Sequence, residues 1–182
     1  MVLAMMKEKE TTLKDILELP EGVHKEMLDG TVYDMAAPSP RHQEIVSFLN
    51  WYIVDHVKRK GGKCKVYPAP FGVFLSQDDK NYVEPDISVI CDKDKISERG
   101  CEGAPDWIVE VVSPSTKSMD YLRKLYHYKQ NRVRLYWIVD PASEMISVYD
   151  FENEIMEQYG FKDIIPVAIY GDFEIDMSEF GK

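Results

Sequence analysis

Val83-Glu84-Pro85-Asp86-Ile87-Ser88-Val89-Ile90 and Asp106-Trp107-Ile108-Val109-Glu110-Val111-Val112-Ser113 are the two stretches that decide how this chain is read. Each is an apolar run of the kind that forms a buried strand. Each also carries an acid where a purely structural strand prefers an apolar residue: Asp86 opens the first run and Glu110 interrupts the second. A buried, uncompensated carboxylate costs several kcal/mol. A divalent cation is the simplest neutraliser for two converging acids, which points to metal-assisted chemistry. Asp86 is expected to meet Glu110, whereas Glu84 is expected at the solvent-exposed start of its strand.

Outward from these runs the pattern is α/β with mixed strand directions. Thr11 to Leu19 predicts a short helix stopped by Pro20, and Lys25 to Met35 a hairpin turning at Asp29-Gly30. Ser39-Pro40 predicts a helix start, and Ile45, Leu49, Tyr52, Ile53 and Val57 give that helix one apolar face before Gly61-Gly62 ends it. Lys65 to Tyr67 and Phe71 to Leu75 read as extended, Asp92 to Pro105 as a polar loop. A helix is expected from Ser113-Pro114-Ser115-Thr116 to about Gln130, then a buried strand at Arg134 to Val139. Met145 to Tyr149, Ile155 to Tyr159 and Val167 to Tyr170 read as further strands. The hairpin and these later strands are expected to extend a sheet on its edges.

The 182 residues, 45% hydrophobic and 30% charged, suit one globular domain over 1–182. Its core spans about 39–141, with a helix and hairpin at 11–36 and strands at 144–180. No apolar run approaches the roughly 18 residues of a membrane span, and Met1 to Met6 lacks the order of a signal peptide; a cytoplasmic protein is expected. Cys64, Cys91 and Cys101 show no CxxC spacing and are expected as reduced thiols. The formal net charge of -10 argues against a passive nucleic-acid coat but not against a nuclease. Two basic clusters, Lys58 to Lys65 and Arg123 to Arg134, are either local binding patches or solvated helix surfaces.

Phosphodiester cleavage needs a cation on the phosphate oxygens, an aimed water and a stabilised leaving oxygen. Magnesium, with manganese as a substitute, takes only one or two carboxylates and keeps several waters. Asp86 and Glu110 meet that need, with the Val111 carbonyl as a third oxygen. Lys124 is the candidate to orient the water and offset developing charge. Asp120, Lys124 and Tyr128 are four apart and share one helix face. His42, in the first turn of the Ser39 helix, joins Asp120 and Tyr128 as a candidate substrate-contacting residue, and Glu44 is a weaker candidate for an extra metal contact. No G-x-S-x-G, Walker or dinucleotide glycine loop is present.

Pro38-Ser39-Pro40-Arg41-His42-Gln43, Glu84-Pro85-Asp86, Gly103 through Thr116, the Asp120/Lys124/Tyr128 ladder and Tyr136-Trp137-Ile138-Val139-Asp140-Pro141 together resemble the Uma-two family. That family belongs to the restriction-endonuclease-like PD-(D/E)XK nuclease superfamily. The resemblance implies a mixed β-sheet flanked by helices, with magnesium at Asp86 and Glu110. The superfamily lysine two residues past the acid is Val112 here; family members look similar, and the resemblance implies that Lys124 replaces it from the helix. The expected activity is magnesium-dependent endonucleolytic cleavage of DNA by a homodimer, with Val167 to Tyr170 as the pairing edge. Two other readings stay open: a nucleic-acid-binding or assembly module without turnover, and a phosphodiesterase for a small phosphorylated substrate.

Overall fold

The structure, a computed structural model, describes residues 11–35, 37–113 and 117–181. In chain order it contains α1 (Leu13–Leu17), β1 (Lys25–Leu28), β2 (Thr31–Asp34), α2 (Pro40–Arg59), β3 (Lys65–Pro68), β4 (Val73–Phe74), β5 (Tyr82–Val83) and β6 (Ile87–Ile90). There follow β7 (Ile96–Ser97), β8 (Gly100–Glu102), β9 (Trp107–Val111), a π-helical turn (Met119–Lys124) that runs into α3 (Leu125–Gln130), and β10 (Leu135–Asp140). β11 (Met145–Asp150), β12 (Ile155–Gly160), β13 (Ile164–Pro166) and β14 (Glu174–Asp176) complete the chain.

The central sheet has the order β12-β11-β10-β9-β6-β3 and is antiparallel except for the β9–β10 pair. Strand alternation divides β9 between two cores. Trp107, Val109 and Val111 face the first core with Ile45, Leu49 and Ile53 of α2. Ile108 and Val112 face the second, with Val73, Val83, Tyr128 and Tyr136. A sheet covered on both sides explains why these strands read as nearly continuous apolar runs. Each fully buried aliphatic side chain on the α2 face contributes about 1.5–3 kcal/mol.

The mixed α+β architecture agrees with the sequence reading, and α2 starts at Ser39, whose hydroxyl accepts the His42 N–H. Asp29 and Gly30 both have positive φ, as the expected hairpin turn requires. The hairpin does not extend the central sheet, however. It joins a second mixed sheet, β2-β1-β5-β4-β8-β7, that lies over the second core. Part of the expected 92–105 loop also belongs to this sheet. Gly100 makes that possible: a Cβ there would stand 2.1 Å from the Gly72 carbonyl oxygen, to which the Cys101 N–H bonds.

Three further expectations differ. The 119–124 segment is a π turn rather than regular α-helix, and the expected helix start at Pro114 to Thr116 lies outside the described residues. Val167 to Tyr170 is not a strand. The Tyr170 N–H bonds back to the Val167 carbonyl, and Val167 is sunk in the first core, so this segment offers no pairing edge. Cys64 and Cys91 are joined in a disulfide, not reduced. The β3–β6 register pairs Lys65 with Ile90, so the next step outward sets the two cysteines opposite each other. That adjacency depends on strand pairing, which cysteine spacing does not reveal. Cys101 is a buried free thiol.

Candidate active site

Glu110 occupies an even position of β9 and therefore points into the second core, away from α2. β6 runs antiparallel to β9, with Ile87 opposite Val109 and Ser88 opposite Ile108. One more step of that register sets Asp86 opposite Glu110, on the same face. Directly opposed residues have Cβ atoms about 4.5–5.5 Å apart, so the two acids converge.

Asp86 is the more open acid, its side chain 18% exposed. Its Oδ2 accepts the Val111 N–H at 2.7 Å and lies 3.2 Å from His42 Nε2. The α2 N-terminus thus delivers His42 to Asp86. Burial lowers the imidazole pKa, but the Asp86 hydrogen bond and charge, helped by the Val111 carbonyl and Asp120, outweigh it and leave the pKa raised.

Lys124 rises from the π turn into the space beside Glu110, with its side chain 6% exposed. Its ammonium donates to Glu110 Oε1 at 2.9 Å, and Asp120 Oδ1 stands at 3.5 Å. A third acid meets it from the opposite sheet: Glu26 of β1 approaches with Oε1 at 3.0 Å and Oε2 at 2.9 Å. The Tyr128 hydroxyl donates to the same Oε1 of Glu110 at 2.8 Å. The Tyr136 hydroxyl donates to the Asp120 carbonyl at 3.2 Å and so braces the π turn. Within this arrangement Tyr128 is fully buried, and Asp120 nearly so.

Three buried acids, Glu26, Glu110 and Asp120, therefore surround one buried ammonium. Two unit charges 4 Å apart interact by about 4 kcal/mol at an effective dielectric of 20, so this excess of negative charge is costly. Burial above all, together with Asp120, Asp86 and Glu26, pushes the Glu110 carboxyl well above the usual carboxylate range against the pull of Lys124. Burial works against the Lys124 charge, yet Glu110, Glu26 and Asp120 hold its pKa well above the ordinary value. Such a site takes up either a proton or a cation.

Its oxygen donors suit a hard divalent ion. The named bonds use Oδ2 of Asp86 and Oε1 of Glu110, leaving the other oxygen of each outside them, and the Val111 carbonyl lies close enough to act on the His42 ring. Among the described residues no group of three or more His, Cys, Asp or Glu side chains has metal-holding geometry. Magnesium needs no such cage, because it binds through one or two carboxylates and retains water.

Sequence reasoning brought forward Asp86, Glu110, Lys124, Asp120, Tyr128 and His42, and the structure places them in one cluster with Val111. Val112, two residues past Glu110 and directly after β9, is packed in the second core. Glu44 is exposed and lines an open groove with Phe48, Glu179 and Phe180 instead of joining the cluster. Glu84 is buried, not exposed. The Tyr82 hydroxyl donates to its Oε1 at 2.8 Å, and His24 Nδ1 lies 2.9 Å from its Oε2. Glu26 was missed because the hairpin was read as a sheet edge; the signal was an acid set directly before the apolar pair Met27-Leu28. Several residues of the basic clusters are paired locally: Lys60 with Asp172, Arg59 with Asp55, Arg134 with Asp106 and Glu152. No helix among the described residues is long and apolar enough to cross a membrane.

Comparison with known proteins bears on the same cluster. The profile of the family Uma2, described as "putative restriction endonuclease", matches residues 13–178. A crystal structure of a "putative nuclease belonging to DUF820" from Anabaena variabilis superposes with a TM-score of 0.74, over 93% of this chain and 97% of that one. At 22% identity that likeness shows the fold. An uncharacterized protein of Synechocystis sp. is 30% identical over 125 residues, which is 68% of this chain and 64% of that relative. The chain thus spans less than two thirds of that relative's length.

Proposed function

The chain belongs to the Uma2 family, and from that membership and the buried acid–lysine cluster we propose that it is a divalent-cation-dependent endonuclease hydrolysing phosphodiester bonds in DNA. The observation that carries this reading is the position of Lys124. β9 offers only Val112 two residues past Glu110, yet the helix brings an ammonium to 2.9 Å from the Glu110 carboxylate. Asp86, Glu110 and the Val111 carbonyl are the groups that would hold magnesium, or manganese in its place, and such an ion would supply polarisation of the scissile phosphate and offset its charge.

The remaining work falls to the chain. Lys124 orients the attacking water and stabilises negative charge as it develops on the phosphoryl oxygens. Tyr128 and Asp120 fix Glu110 and Lys124 from within the core rather than touching substrate. His42, at the N-terminus of α2, keeps its Nε2 3.2 Å from Asp86 Oδ2 and so positions that carboxylate instead of contacting a phosphate.

A supercoiled plasmid tests the proposal. The wild-type protein nicks it with magnesium or manganese and not with a chelator, and Asp86→Asn and Glu110→Gln are silent. Nicking that persists in both variants comes from a contaminant and removes the assignment. The second reading, a binding module without turnover, is favoured by Val112; it predicts salt-sensitive DNA binding and no cleavage with either metal. A homodimer is part of the proposal, and a monomer mass at micromolar concentration removes it. The Cys64–Cys91 bond argues against the cytoplasmic location expected from the sequence, because reducing compartments keep thiols open.

A further inference from the structure

We propose that Glu26 is the positioning residue of the lysine: a carboxylate from the second sheet that keeps the Lys124 ammonium in place when Glu110 turns to the metal. This rests on the nuclease reading above. An ammonium has three protons to donate. Here they face Glu110, Glu26 and Asp120, so none is left for a water. Glu110 is also one of the two side chains assigned to the cation. A metal sharing the Glu110 charge would weaken its hold on Lys124 and leave one N–H of the ammonium free to donate to the attacking water. Asp120 alone, at 3.5 Å, would then hold a lysine on a flexible stem.

Glu26 supplies the missing anchor. Both its oxygens lie within 3.0 Å of the ammonium, so the approach is two-pronged. Its Oε1 also accepts the Glu84 backbone N–H at 3.0 Å, which ties the carboxylate to the segment leading into Asp86. The β1–β5 pairing through Met27 and Tyr82 fixes the backbone behind it. The second sheet thereby becomes part of the active site: β1 carries the clamp for a lysine that the central sheet does not provide.

The test uses the full chain with Glu26→Gln, Glu26→Asp and Lys124→Met. In metal-free protein, the Lys124 ammonium gives a slowly exchanging ¹⁵N–¹H resonance, assigned by its loss in Lys124→Met. Glu26→Gln accelerates its exchange, and Glu26→Asp restores part of the protection. In plasmid cleavage, Glu26→Gln lowers kcat by about 10²-fold, the order expected for a misplaced catalytic group, while KM changes less than about twofold. A folded Glu26→Gln protein with unchanged ammonium exchange, or with unchanged kcat, overturns the inference. Wild-type protein that cleaves nothing overturns the nuclease reading instead, and the ammonium exchange still decides whether Glu26 clamps the lysine.

Discussion

Lys124→Met removes the ammonium at the centre of the acid cluster while keeping all but the last atom of the side chain's length. The wild-type ammonium lies within 3.0 Å of Glu110 and Glu26, and all three side chains are buried. Removing one partner of a buried ion pair costs about 3–5 kcal/mol. At about 2–4 °C per kcal/mol for a chain of this size, the variant melts about 6–20 °C below wild type at pH 8. The deficit depends on pH. Without the ammonium, Glu110 relieves its repulsion with the neighbouring acids by binding a proton, so the loss shrinks as the solution supplies it. Each proton taken up by the folded variant but not by the unfolded chain changes stability by about 1.4 kcal/mol per pH unit. Thermal unfolding followed by circular dichroism from pH 5 to pH 8 should show a gap that widens with pH. Saturating magnesium should raise the variant's Tm more than the wild type's, because the ion replaces the missing charge. A pH-independent deficit, or one under about 1 kcal/mol, would refute the claim that these acids are buried at the expense of one lysine.

Other consequences follow from the same geometry. In metal-free protein the Glu110 pKa is raised on folding, so the folded state binds its proton more tightly than the unfolded chain. Stability from this group is present below the unfolded carboxylate pKa and is lost as pH rises toward the folded value; Glu110→Gln should flatten that part of the Tm–pH curve. Asp86→Asn should abolish the Tm increase produced by magnesium or manganese, read by differential scanning fluorimetry; an undiminished increase would place the ion elsewhere. Tyr128→Phe removes the hydroxyl that donates to Glu110 at 2.8 Å, and chemical denaturation should show a loss of about 1.5–3 kcal/mol. Burial pushes the Cys101 thiol up to about 12, so intact-mass analysis after alkylation of native protein should show no rapid labelling, and unfolding without reductant should release one reactive thiol.

The legible parts of the fold were those that local chemistry decides. Ser39-Pro40 opens α2 because the serine caps and the proline lacks an N–H to lose. Asp29-Gly30 turns the hairpin because both residues adopt positive φ. Asp86 and Glu110 were legible because acids inside apolar strands demand a physical reason. What escaped was pairing between distant segments. Nothing in Lys25-Glu26-Met27-Leu28 says that it pairs with β5 rather than with the central sheet, and so Glu26 was missed and Glu84 was misplaced. Val167 to Tyr170 has the composition of a strand, but local turns fold its apolar side chains into the core. The Cys64–Cys91 bond depends on the β3–β6 register in the same way.

On the proposed reading, the second sheet compensates for having Val112, and not a lysine, two residues past Glu110. A strand lysine at position 112 would share the face and the backbone of Glu110, with its direction set by β9 itself. A lysine from a helix has no such constraint, and a longer path lies between its backbone and the reacting atoms. Tyr136 braces the π turn from the central sheet, Tyr128 holds Glu110 from α3, and Glu26 grips the ammonium from β1. Each constraint comes from a different element, so the lysine's position is a property of the packed core and not of one strand. Variants that loosen the packing between the two sheets, without touching any of these polar groups, should therefore slow cleavage more than they weaken metal binding. On the proposed assignment the cation contacts would run through the adjoining Asp86 and β9 positions, whereas the lysine depends on both sheets. Leu28→Ala, on the face of β1 turned to the second core, separates the two: the magnesium-induced Tm shift should persist while kcat falls, an unchanged kcat would show that the lysine is held by the helix alone, and a parallel loss of both would show that the cation contacts depend on the same packing.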